Sequence, residues 1–200
     1  MLSNAEQVKR LLRALSEKME SHRCRPVGLV VCGGAAMNVA GLVERPTRDI
    51  DVLATAEDRL GGTELRPAEL PDDLRECVRQ VAQEFGLPAG WLNPGRRELF
   101  GKGLPEGIST RLQREDFGPR LRIYWTGRED LISLKLLAAA DERADRTEVH
   151  MQDLAAMRPS FEELDKAVDW IRNHEAFEEM KPSLKRLLIH MGHEDLAYYV

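Results

Sequence analysis

Two aspartates, Asp49 and Asp51, stand two residues apart in a short run of alternating polar and apolar residues. The alternation predicts a strand, whose period of two puts both carboxylates on one face while Ile50 turns toward the core. Carboxylates about 7 Å apart along a strand can share a hard divalent cation such as magnesium. An Asp-x-Asp alone also fits two solvated side chains, so its meaning depends on its neighbours.

A pair of glycines, Gly33 and Gly34, ends the apolar run Val27 to Cys32, which predicts a buried strand. The segment Ala35 to Ala40 then predicts a short helix. Glycine lets the backbone approach a ligand closely, and a helix N-terminus offers unpaired N–H groups to a phosphate. A Gly-Gly pair after a strand is often only a turn. Together with the two aspartates, however, it predicts phosphoryl or nucleotidyl transfer.

The order of these residues resembles a known family. Two glycines, fourteen further residues and Asp-Ile-Asp, with Arg45 and Thr47 just before the acids, are similar to the DNA polymerase β-type nucleotidyltransferase superfamily. The similarity is greatest to the bacterial branch that includes toxins of the abortive-infection type IV toxin–antitoxin systems. Residues 131–154 resemble the second conserved block of that branch, and Trp91-Leu92-Asn93 and Pro159-Ser160 resemble short, stand-alone members.

This resemblance implies a site in a mixed sheet, with the glycine pair over a nucleoside triphosphate and Asp49 and Asp51 on Mg²⁺ or Mn²⁺. It places Thr47 with the nucleotide-binding residues. It further implies that Lys135 contacts phosphate and that Asp153 completes the catalytic set. The expected catalytic residues are therefore Asp49, Asp51, Lys135 and Asp153.

Two departures from the family pattern affect this site. The superfamily often carries a third carboxylate on a later strand, whereas the matching segment here, Arg120 to Trp125, has none. The branch often carries another aspartate three residues before Asp153, where this chain has His150. One metal ion instead of two, or a site without turnover, therefore stays open.

Lys135 lies inside the apolar run Leu131 to Ala140, where two interpretations are open. In the first, its aliphatic stem follows the helix surface and the ammonium group reaches solvent. In the second, the cation is buried and directed at a phosphate. His150, one helical turn before Asp153, would orient that acid, contact a ribose or act as a base, or else be a surface or packing residue.

The remaining patterns predict a small mixed sheet flanked by helices, of the α/β (α+β) class, with a helical C-terminal lobe. We expect a nucleotidyltransferase-like core at 1–126 and a lobe packed on it at 127–200, or one domain comprising both. The expected elements are helices at 4–20, 73–85, 131–140, 149–157, 161–172 and 184–191, strands at 27–32, 49–54, 109–114 and 120–125, and a loop at 57–71.

Composition indicates a chain that can bury a core and that carries charges of both signs. Of its 200 residues 42% are hydrophobic, and the net charge of -5 argues against a general nucleic-acid coat protein. Residues 127–200 hold 10 Lys and Arg against 16 Asp and Glu, so the acidic part is C-terminal.

Three widely spaced cysteines fit no zinc pattern and indicate reduced thiols in a cytoplasmic protein. No apolar stretch approaches the roughly 20 residues that span a bilayer, and the charged N-terminal segment argues against a secretory signal.

Three functions are open on these observations. The first is an enzyme that transfers a nucleotidyl group from a nucleoside triphosphate to a hydroxyl of RNA, protein or a small molecule. The second is a catalytically inactive nucleotide-binding module, or one half of a toxin–antitoxin or defence pair with a partner protein. The third is an interaction protein whose acidic helical tail is the contact surface. The adjacent negative charges of Asp49 and Asp51 favour the first function, because two like charges side by side repel and a site that no longer binds metal has no need of them.

Overall fold

The computed structural model describes residues 1–95, 103–141 and 147–200 of the chain. The chain forms two compact units, Met1–Gly127 and Arg128–Val200, and each is considered by itself. The first unit contains a mixed sheet with helices, and the described residues of the second are helical. The α/β (α+β) class expected from the sequence is therefore confirmed. That the first unit is a nucleotidyltransferase core with the second packed on it stays a prediction.

Within the described residues, six strands form the sheet of the first unit. β1 runs parallel to β6, and β2 runs parallel to β4, while the other neighbouring pairs are antiparallel. The order across the sheet is β3-β2-β1-β6-β5, and β4 pairs with the first residues of β2. The strands are β1 (Val27–Cys32), β2 (Ile50–Arg59), β3 (Gly62–Pro67), β4 (Leu92–Pro94), β5 (Gln113–Asp116) and β6 (Leu121–Trp125).

The helices of the first unit are α1 (Ala5–Ser21), α2 (Gly33–Val39), α3 (Asp72–Phe85) and α4 (Ile108–Arg111), as far as the chain is described. α1 begins after Asn4, whose side chain accepts a hydrogen bond from the Gln7 N–H at 2.9 Å, as expected of an N-cap. Its apolar face is buried and packs against α3. The helix that the sequence predicts at 4–20 is thereby confirmed.

The second unit packs its helices around α5 (Arg128–Ala140), which contacts α6 (Thr147–Met157), α7 (Phe161–Arg172) and α8 (Phe177–His190). A last helix, α9 (Glu194–Tyr199), follows. α5 occupies the centre because it is apolar on nearly every side. α7 begins with a capping box, in which Ser160 and Glu163 each accept a backbone N–H from the other.

The loop predicted at 57–71 is wrong, because this segment contains the end of β2 and all of β3, joined as a hairpin by the turn Leu60-Gly61. The strand residues here are charged and exposed, so they lack the apolar alternation that marks a half-buried strand. Instead of apolar contacts, ion pairs link side chains of the two strands, such as Arg59 with Glu64 at 3.2 Å.

Two further predictions are wrong in detail. The strand predicted at 109–114 begins only at Gln113, because Ile108–Arg111 forms a helical turn. The helix predicted at 184–191 begins earlier, at Phe177, and Pro182 lies inside it. Met180 and Leu184, on either side of that proline, are both buried, so packing holds the helix together where propensity alone would end it. In the described part of the chain no helix is both long and apolar enough to cross a membrane.

Candidate active site

The glycine pair lies directly after β1 and forms the first turn of α2. The helix start predicted at Ala35 is therefore two residues too late. Gly33 has a φ of +69°, in the left-handed region that glycine enters without a steric penalty. A residue with a side chain would be strained at this junction.

Gly33 also makes room for the carboxylate of Asp51. A Cβ atom built on Gly33 would lie 2.6 Å from Asp51 Oδ2, which is closer than real carbon–oxygen contacts. Asp51 and Cys32, the residue before Gly33, are paired across the β1–β2 ladder. One carboxylate of the predicted metal pair therefore lies directly against the backbone of the predicted phosphate turn.

Gly34 makes the matching approach to Thr47. A Cβ atom on Gly34 would lie 2.7 Å from Thr47 Oγ1 and 3.0 Å from Thr47 Cβ. Thr47 is only 3% exposed, and its hydroxyl donates to the Asp49 carbonyl at 3.2 Å. Its backbone pairs with Leu2, in bonds of 2.7 Å and 2.9 Å, which fixes the segment before the aspartates.

Asp49 precedes β2, which begins at Ile50, one residue later than predicted. Ile50 is fully buried, whereas Asp49 and Asp51 are each half-buried, as the strand alternation predicts. Within the described residues, the Asp49 carboxylate has no hydrogen-bond or ion-pair partner. A half-buried carboxylate without a partner is available to a cation.

Asn38 is a positioning residue that sequence reasoning missed. It is 8% exposed, and its amide nitrogen donates to the carbonyls of Gly34 at 3.0 Å and Arg45 at 2.9 Å. These bonds tie α2 to the segment that leads to Thr47. The available signal was a single amide residue in the otherwise apolar run from Ala35 to Ala40.

In the second unit, Lys135 and Asp153 form a buried ion pair. Lys135 Nζ lies 2.7 Å from Asp153 Oδ2, and the two side chains are 8% and 1% exposed. Nζ also lies 3.3 Å from His150 Nδ1, and since an ammonium group only donates, Nδ1 accepts this bond. The interpretation in which Lys135 reaches solvent is therefore wrong, because its ammonium group is buried against the Asp153 carboxylate. Contact with a phosphate stays a prediction.

The candidate residues thus fall into two groups. Gly33, Gly34, Thr47 and Asp51 are brought together in the first unit, with Asp49 next to them in the chain. Lys135 and Asp153 are brought together in the second unit. That both groups serve the same ligand stays a prediction.

Comparison with known families gives an independent result. Residues 6–187 match the family described as nucleotidyltransferase of unknown function (DUF6036). The chain belongs to this nucleotidyltransferase family. The match includes both candidate groups and supports a general role in nucleotidyl transfer with a nucleotide as substrate. No curated protein and no solved structure matches the chain.

In this member of the family, the strand expected to carry a third carboxylate has none, as the sequence indicated. Its neighbour β5 carries two acids. Glu115 accepts the Trp125 indole N–H at 2.9 Å and pairs with Lys9 at 3.0 Å. Asp116 accepts hydrogen bonds from two arginines, which lower its pKa to about 2. Both acids are therefore engaged in the sheet. Among the described residues, no three His, Cys, Asp or Glu side chains cluster as a metal site.

Proposed function

We propose that this chain transfers a nucleotidyl group from a nucleoside triphosphate to a hydroxyl of RNA, protein or a small molecule, using Mg²⁺ or Mn²⁺. The observation that carries the proposal is the close approach of Asp51 and Thr47 to the two glycines at the start of α2. It joins the expected metal ligand to the expected phosphate turn within one small region of the first unit.

The residues present fit a divalent cation of the magnesium type. Asp49 and Asp51 supply hard oxygen ligands, and glycine at position 33 lets Asp51 Oδ2 lie against the backbone, where a Cβ atom would collide with it. Magnesium is commonly held by one or two carboxylates together with substrate phosphates, not by a cage of protein ligands. A pair of aspartates next to a phosphate-binding turn suits that mode.

The proposed reaction needs positioning and charge neutralisation more than covalent help from the protein. The acceptor oxygen forms a bond to the α-phosphorus, the bond from that phosphorus to the bridging oxygen breaks, and pyrophosphate leaves. The acceptor hydroxyl loses its proton to solvent. A bound cation would neutralise charge on the phosphate oxygens, and Asp49 and Asp51 would hold it in place.

Lys135 and Asp153 enter the proposal through the resemblance to the second conserved block. The Lys135 ammonium group has three N–H bonds, of which Asp153 and His150 take two. The third has no acceptor in the described part of the chain, and we propose that a phosphate oxygen accepts it. Asp153 would hold the Lys135 ammonium group in position for this contact.

A second candidate is nucleotide binding without turnover, in a toxin–antitoxin or defence pair with a partner protein. It is favoured by the lack of a carboxylate on β6 and by the engagement of both acids of β5. In either case we propose the cytoplasm as the location, on the basis of the thiols of Cys24 and Cys77, which lie 3.5 Å apart without a disulfide.

Thermal unfolding with and without Mn²⁺ and each nucleoside triphosphate tests the metal site. At about 100 Kd of ligand we expect about 2.7 kcal/mol of stabilisation, which raises the Tm of a chain of this size by roughly 5–10 °C. The double variant Asp49→Asn/Asp51→Asn should fold but lose the shift. The matched control Glu57→Gln/Glu64→Gln removes two exposed charges from the β2–β3 hairpin and should keep it. An undiminished shift in the aspartate variant would contradict the site assignment.

Turnover is tested separately with triphosphates labelled at the α-phosphate, total RNA and cell extract. Label transferred to an acceptor by the wild type and not by the aspartate variant supports the enzyme. A Tm shift without any transfer of label supports the second candidate instead.

A further inference from the structure

Asn93, on the short strand β4, lies next to Asp51 in the sheet. β4 runs parallel to the start of β2, and the ladder pairs Asp51 with Asn93. Neighbouring strands lie about 4.8 Å apart, and paired residues of parallel strands project their side chains on the same face. The amide of Asn93 and the carboxylate of Asp51 therefore share one face of the sheet.

The position of β4 is fixed by hydrogen bonds at both ends. The Ile50 N–H donates to the Trp91 carbonyl at 2.7 Å, and the Gly95 N–H donates to the Val52 carbonyl at 2.7 Å. Trp91 is fully buried, and its indole N–H donates to the Val78 carbonyl of α3 at 2.9 Å. These bonds hold Asn93 in register with Asp51.

The amide group of Asn93 is only half engaged. Its nitrogen donates to the Gly90 carbonyl at 3.3 Å, which identifies the remaining amide atom as the oxygen. Within the described residues this oxygen accepts no hydrogen bond, and the side chain is half-buried. This oxygen is a hard, neutral metal ligand next to Asp51, a carboxylate that we assign to the metal site.

We propose that the Asn93 amide oxygen is the third protein ligand of the divalent cation held by Asp49 and Asp51, a proposal that rests on the proposed function. It takes the place of the later-strand carboxylate that β6 lacks. Because asparagine is neutral, the site has two negative charges instead of three. Cation affinity rises with the charge of the ligands, so the bare site should bind weakly and depend on the charge of the triphosphate.

The test is the affinity for Mn²⁺, measured by electron paramagnetic resonance with and without a triphosphate analogue that cannot be cleaved between the α- and β-phosphates. Asn93→Ala should weaken binding by about ten-fold or more, the scale seen when groups that support a metal site are removed. Asn93→Asp, which adds a charge at nearly the same size, should tighten binding of Mn²⁺ alone and reduce its dependence on the analogue. The control is Asn173→Ala, because Asn173 also donates its amide to one backbone carbonyl, at 3.1 Å, but lies in the second unit.

The outcomes separate this proposal from the proposed function. If Asp49→Asn/Asp51→Asn loses Mn²⁺ while Asn93→Ala and Asn93→Asp both match the wild type, Asn93 is not a ligand and the metal site stands without it. If the wild type binds no Mn²⁺ with the analogue, the proposed function and this inference both fail. Should Asn93→Ala unfold, Asn93→Asp alone decides, and unchanged affinity in that variant overturns the inference.

Discussion

At the scale of single residues, burial determines what the Lys135–Asp153 ion pair does. Transferring two charges out of water costs several kcal/mol per ion, and the attraction between them offsets that cost only while both are present. Asp153 is 1% exposed, so water cannot replace a missing partner. Removing one residue of the pair should therefore lower the free energy of unfolding far more than removing both.

Lys135→Met should lower the free energy of unfolding by about 3–5 kcal/mol, because it removes the ammonium group that pairs with the buried Asp153 carboxylate. The double variant Lys135→Met/Asp153→Leu should recover most of that loss. Urea denaturation of the two variants measures the difference.

The control for this pair is Lys166→Met, since Lys166 pairs with Glu129 at 3.3 Å but is 64% exposed. It should change the free energy of unfolding by less than about 1 kcal/mol. A Lys135→Met variant as stable as the wild type would show that Lys135 is not the buried partner of Asp153.

At the scale of elements, the junction of β1 and α2 is shaped by side chains from another segment. Thr47 and Asp51 approach the backbone of this junction where a Cβ atom would stand. The glycines are thus required by packing within the protein, before any ligand is considered. Asn38 adds the hydrogen bonds that hold α2 to the segment before Thr47.

Gly34→Ala should destabilise the protein by about 1–3 kcal/mol, the usual range for an added methyl group in a filled site. The added Cβ would lie 2.7 Å from Thr47 Oγ1, so Thr47→Ala in the same chain should recover part of the loss. Gly90→Ala is the control, because its Cβ would meet no atom within 4 Å. Thermal and urea unfolding of these three variants and of Thr47→Ala alone measure this coupling, and equal losses in the Gly34→Ala and Gly90→Ala variants would contradict it.

At the scale of the whole molecule, stability depends on pH through carboxylates whose pKa is lowered by hydrogen bonds from arginine and tyrosine side chains. Asp116 has its pKa lowered to about 2 by hydrogen bonds from Arg114 and Arg122. The Tyr124 hydroxyl, donating at 2.6 Å, is the main cause of the lowered pKa of Asp58. In the second unit, Arg128 lowers the pKa of Glu163.

A lowered folded-state pKa stabilises the protein above the unfolded-state value and stops doing so as pH falls through the folded-state value. The free energy of unfolding should therefore decline as pH falls from about 4 to about 2, the window set by Asp116. Asp116→Asn should make this decline shallower. Urea denaturation at several pH values measures the slopes.

Asp195→Asn serves as the control for the pH series, because Asp195 is exposed and has no ion-pair partner in the described part of the chain. Its slope should match that of the wild type. Equal slopes for Asp116→Asn and the wild type would remove Asp116 from the explanation.

The sequence by itself determined the features that depend on local pattern. The periodic apolar face of residues 4–20 and the β-branched run at 27–32 each formed the predicted element, because their backbone preferences agree with their burial. The spacing of the glycine pair and Asp-Ile-Asp also predicted a nucleotidyltransferase-type family, which the family match supports, while the toxin–antitoxin branch stays a prediction. Segments without such a pattern, notably the charged β2–β3 hairpin, were not predictable, because pairing with a neighbouring strand defines them.

Only the tertiary structure decided which side chains meet. Asn93 and Asp51 are 42 residues apart in the chain, and no local pattern signals that the ladder pairs them. The sequence left open whether the Lys135 ammonium group reaches solvent or is buried, and the fold places it against Asp153. A sequence pattern reports how each residue suits its own strand or helix. Contacts between distant segments depend on how those elements pack, and that packing is a property of the whole chain.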